Sequence, residues 1–116
     1  MSAQEALGPQ FMTARQLREL SPGDRAGRTA AKVWASKSRE NRRSGLNADV
    51  SRRGVQVPVV LAHFDAEEAS AVTGRTITSP VIREGHHRIA AAYKFDPDSL
   101  VPVEHIDLRI PEDDED

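Results

Sequence analysis

The period of the apolar residues changes several times along this chain, and each change marks an element. Short continuous apolar runs occur at Val57-Pro58-Val59-Val60-Leu61, at Val81-Ile82 and at Leu100-Val101-Pro102-Val103-Glu104-His105-Ile106. Rich in β-branched residues and bounded by Gly or Pro, such runs predict strands. Elsewhere the spacing is helical. Ala26, Ala30, Val33 and Trp34 share one face of a helix expected over 25–43, while Lys32, Lys37, Arg39, Arg42 and Arg43 lie mostly off that stripe. Ile89-Ala90-Ala91-Ala92 predicts another helix, because alanine is the best helix former and only one residue of the run is β-branched.

Capping and breaking residues divide these patterns. Thr13 and Gln16 have the spacing of a capping box, which predicts a short helix over 14–20 ended by Ser21-Pro22-Gly23-Asp24. Ser44-Gly45 closes the long helix. A short helix from Leu46 follows, capped by Asn47 or Asp49 and stopped by Gly54. Residues 65–70 have the composition of one helical turn, broken by Gly74. Arg75-Thr76-Ile77-Thr78 is expected to add a few residues of strand, and Asp96-Pro97-Asp98 to stop the last helix. The expected organisation is a flexible N-terminus over 1–12, one domain over 13–110, and an acidic disordered tail over 111–116. The fold class is α/β (α+β): a small mixed sheet with helices packed on it.

Composition narrows this picture. With 116 residues, 38% of them hydrophobic and 4% aromatic, the chain supports one modest core of Val, Ile, Leu and Ala. Trp34, the only tryptophan, is read as a core anchor rather than a base-stacking residue. The absence of cysteine excludes disulfides and thiol chemistry. No run approaches the roughly 20 apolar residues of a membrane span, and no basic-then-apolar N-terminal segment marks a secretory signal. A cytoplasmic protein without a membrane partner is expected.

The net charge of −2 conceals a polarity. Residues 112–116 are all acidic, whereas Arg15 to Arg53 contains eleven basic and four acidic residues, an excess of seven. Two readings of the basic half stand. Lys37, Arg39, Arg42 and Arg43 would track a DNA phosphate backbone, or they form an ordinary solvated helix face.

The sharpest candidate chemistry lies where a strand meets a helix, at Val81-Ile82-Arg83-Glu84-Gly85-His86-His87-Arg88. Gly85 permits a tight turn, the first helical amides then point outward, and Arg88 adds a planar cationic fork. That combination suits a phosphate. His86 and His87 diverge by about 100° on a helix, which argues against one shared metal ion. His63 and His105, on two predicted strands, are the remaining pair with a route to a metal.

Gly85-His86-His87-Arg88-Ile89-Ala90-Ala91 resembles the Gly-x-x-Arg box of the ParB N-terminal domain and sulfiredoxin superfamily. Leu46, Val50, Gly54, Val55, Pro58, Val59 and Leu61 resemble the helix, Gly stop and Pro-led strand that precede that box, so the likeness spans roughly 46–106. The resemblance implies a ParB/sulfiredoxin-like fold. It also implies a nucleotide cradle made by Gly54, Pro58, Gly85, His86, His87 and Arg88, binding a CTP- or ATP-type triphosphate with Mg²⁺. Glu84 would then be the catalytic acidic residue, reaching Mg²⁺ or a nucleophile, in a nucleotide hydrolase or ParB-like nuclease; no other metal ligand is assigned. Sulfiredoxins place their nucleophilic cysteine where this chain has His86, so their reaction is excluded. The helix-turn-helix and dimerisation regions of chromosome-partition proteins are not in these 116 residues, and no DNA clamp is expected of them alone. Glu40-Asn41-Arg42-Arg43 is similar to a fragment of that family's Glu-Asn-x-x-Arg motif. It precedes the box instead of following it, and is read as coincidence. The competing class is a non-enzymatic phage or plasmid accessory module that keeps the fold and binds DNA or a host protein.

Overall fold

The computed structural model describes residues 7–23 and 28–108. The elements in order are β1 (Phe11–Thr13), α1 (Ala14–Arg18), α2 (Ala30–Ser44), α3 (Leu46–Arg53), β2 (Val59–His63), α4 (Ala66–Thr73), β3 (Val81–Glu84), α5 (His86–Phe95) and β4 (Leu100–Asp107). The four strands form one mixed sheet in the order β1-β4-β2-β3. β1 runs antiparallel to β4, β4 parallel to β2, and β2 antiparallel to β3. The expected mixed α/β architecture is therefore present.

The core lies on one face of the sheet. Val59, Leu61, Ile82, Val101 and Val103 pack there against Leu17 of α1, Trp34 of α2, Val50 of α3 and the buried residues of α5. Helix α5 is central. Its four successive residues Ile89, Ala90, Ala91 and Ala92 are all buried, and four successive positions sweep about 300° around a helix. The helix is thus enclosed by α1, α2, α3 and β2. Alanine is what lets so many neighbours come close. Trp34 is a core residue, and Arg18 lies over both its ring (5.3 Å) and that of Tyr93 (4.2 Å).

Several boundaries differ from expectation. Helix α2 starts at Ala30, where Thr29 Oγ1 accepts from the Lys32 amide. Residues 24–27 lie outside the described residues, and Ala30 is exposed rather than part of the buried stripe. Neither Asn47 nor Asp49 caps α3, because Gly45 in the left-handed region ends α2 and begins α3 at once. Strand β2 begins after Pro58, which has no N–H to give to a ladder, and Val57 is exposed. Residues 75–78 are not a strand; the Ile77 amide instead donates to Ser70 Oγ, folding the segment back on α4. The first twelve residues are not all loose, since Phe11 and Met12 pair with β4 as an edge strand. The acidic tail, 111–116, lies outside the described residues.

The approach to β1 is fixed by two histidines. His105, buried, meets the Pro9 carbonyl through Nε2 at 2.7 Å. A carbonyl only accepts, so His105 Nε2 carries the proton. Its Nδ1 then accepts from His63 Nε2 at 2.8 Å. Among the described residues no helix is long and apolar enough to cross a membrane.

Candidate functional site

Strand β3 enters the turn with an irregularity. Val60 faces Glu84 and Leu61 faces Ile82, so Arg83 is the extra residue. Gly85 then takes φ 106° and starts α5 with no side chain capping it. No other residue fits here. A Cβ at Gly85 would lie 2.5 Å from Val59 Cγ1 and 3.0 Å from Val59 Cα, well inside contact distance, in a backbone region that suits glycine.

On the other side, α3 ends at Gly54, with φ 72° and ψ −177°. This conformation is essentially confined to glycine, and it turns residues 55–58 toward α5. The two stretches wall one cleft of about 330 Å³, lined among others by Asp49, Arg53, Gly54, Val57, His87 and Arg88. Its walls are mostly aliphatic, with Leu46, Val50 and Val55 behind the polar rim. Arg88 spans the cleft: its guanidinium NH2 donates to the Pro58 carbonyl at 3.4 Å. Arg88 Nε is shielded from solvent and has no partner, a donor still to be satisfied. Asp49, the carboxylate among these lining residues, is taken by Arg53 at 2.7 Å.

Helix α2 holds the box from behind. Asn41, fully buried, donates from Nδ2 to the His87 carbonyl at 2.8 Å. One residue earlier, Glu40 Oε1 meets His87 Nε2 at 2.5 Å. That bond to His87, helped by the charge of Lys37 and of Arg28 nearby, holds the Glu40 carboxyl below its usual range against the opposing effect of desolvation. Glu40 and Asn41, which the sequence does not mark as site residues, both contact His87. No local pattern signals these contacts, because they arise from the packing of α2 on α5.

The remaining expected residues are distributed as follows. Gly54, Gly85, His87 and Arg88 come together at or beside the cleft, and Pro58 joins them through its carbonyl. His86 does not: its Nε2 meets the Pro22 carbonyl and its ring lies 6.0 Å from that of Trp34. Glu84 is exposed and pairs with Val60, which also faces Glu104. It therefore occupies the sheet face opposite Val59 and Leu61, away from the cleft. A magnesium ion shared by Glu84 and a ligand in the cleft does not fit this geometry. His63 and His105 do converge, but on each other. Among the described residues no group of three or more His, Asp or Glu side chains is arranged to hold a metal. On α2, Arg39, Arg42 and Arg43 are exposed and share a helical face, while Lys37 is drawn to Glu40 at 3.9 Å.

Comparison with protein-family models, with curated proteins and with solved structures finds no match for the chain.

Proposed function

We propose that this chain is a stand-alone ParB-like domain that binds a nucleotide through its Gly-x-x-Arg turn. One observation carries the reading: two stretches singled out separately in the sequence, at Gly54–Pro58 and at Gly85–Arg88, meet at a single cleft. The division of that cleft suits a nucleotide. Leu46, Val50, Val55 and Val57 offer an apolar wall for a base or ribose. Arg88, with an unsatisfied Nε beside the uncapped start of α5, offers charge-assisted and dipolar contacts to phosphate. The ParB/sulfiredoxin-like fold belongs to the same reading, supported by a mixed sheet whose β3–α5 turn carries the box.

Binding is what this arrangement supports, since the residue expected to do acid–base work, Glu84, faces away. Isothermal titration with the four ribonucleoside triphosphates, with and without Mg²⁺, tests the proposal. Saturable binding that Arg88→Ala abolishes and Arg88→Lys restores only in part supports it, because a point charge cannot replace a planar fork. Failure of all four nucleotides to bind removes it.

A second reading has its own observation. Arg39, Arg42 and Arg43 form an exposed basic face near the end of α2, and such a face suits a nucleic-acid backbone in a non-enzymatic accessory module. The structural alternative is that Arg42 and Arg43 merely complement the negative end of the α2 dipole.

A further inference from the structure

His87 of the box has a carboxylate on its ring. Glu40 meets Nε2, Asn41 holds the backbone carbonyl, and the ring's other nitrogen, Nδ1, makes no hydrogen bond among the described residues. A carboxylate in contact with Nε2 accepts a hydrogen bond from it, so the neutral tautomer that fits this contact has its lone pair on Nδ1. Nδ1 is then the one atom where a proton can be gained, and His87 lines the same cleft as Arg88. We propose that Glu40 is a positioning residue that makes oxyanion binding at this cleft proton-linked: His87 takes up a proton at Nδ1 when a phosphate-like dianion binds, and Glu40 stabilises the resulting imidazolium.

The charges around His87 support that direction. Glu40 from α2 touches it, with Lys37 on the same helix and Arg28 just before it acting on Glu40. Asp49 and Arg53 from α3 line the cleft but are paired with each other. On α5 itself, Arg88 is the adjacent cation, and His86 is turned to Pro22 and Trp34. Among the described residues, Glu40 is thus the carboxylate in contact with the ring. Removing its charge leaves the imidazolium beside Arg88 uncompensated.

The inference rests on the cleft being an oxyanion site, and its test separates the two claims. Inorganic sulfate is the probe, because it remains a dianion across the range in which histidine titrates. Binding to the intact chain is followed by amide and imidazole ¹⁵N NMR at about pH 6 and about pH 8. The wild type should bind about ten-fold more tightly at the lower pH, with the His87 ¹⁵N signals moving to those of an imidazolium on saturation. His87→Gln should bind equally at both pH values. Glu40→Gln, which keeps an acceptor for Nε2 but loses the charge, should bind several-fold more weakly near neutrality. Sulfate binding that Arg88→Ala abolishes but that is the same at both pH values overturns this inference alone. So does a Glu40→Gln chain with the wild-type pH profile. A wild type that binds no sulfate at either pH overturns the oxyanion site and this inference with it.

Discussion

Gly85 and Gly54 both have positive φ, yet they should respond differently to substitution. At Gly54 a Cβ would meet nothing within 4 Å, so Gly54→Ala adds only backbone strain, about 1–3 kcal/mol. At Gly85 the same strain is joined by overlap with Val59, a fully buried core residue. Gly85→Ala should therefore cost about 4 kcal/mol or more, read from urea unfolding. Equal losses at the two positions would contradict the packing of the turn. Glu40 makes a pH prediction. Its folded-state pKa is depressed by the bond to His87, so its contribution is present above the unfolded carboxyl value and is lost as pH falls through the lower folded value. Glu40→Gln should accordingly lose less stability than the wild type between about pH 5 and pH 3. Parallel acid-unfolding curves would contradict this.

At the scale of elements, the join of α2 to α5 depends on one buried amide. Asn41→Ala leaves the His87 carbonyl without its donor and should cost about 1–3 kcal/mol. Because that bond fixes the box, ligand affinity should fall as well; a stability loss with intact affinity would show the contact to be packing only. Most elements were legible from the chain. Thr13 and Gln16 form the capping box their spacing predicts, and Gly45, Gly54, Gly74 and Gly85 all bound helices. What was not legible is non-local. Period-2 and period-3.6 patterns report which face a residue takes, but not that Asn41 would find His87 across two helices. Nor do they show that an extra residue in β3 would turn Glu84 to the face opposite the core. The strand expected at 75–78 is absent for the same reason: Ser70, in the preceding helix α4, claims the Ile77 amide.

For the whole molecule, charge and cleft make separate claims. If the exposed face of Arg39, Arg42 and Arg43 binds nucleic acid, affinity should fall steeply with salt, and Arg42→Ala/Arg43→Ala should lower the slope of log K against log salt by about 1–2. Unchanged mobility of duplex and single-stranded DNA at low salt would remove that role. The nucleotide claim concerns a different surface, so the two can fail independently. Its most direct test is amide chemical-shift mapping during titration with CTP and with ATP. The account predicts saturable shifts concentrated at Gly54, Val55, Gln56 and Val57 and at Gly85, His86, His87 and Arg88, all lost in Arg88→Ala. Shifts confined to Arg39, Arg42 and Arg43, or no saturable shifts at millimolar nucleotide, would contradict it.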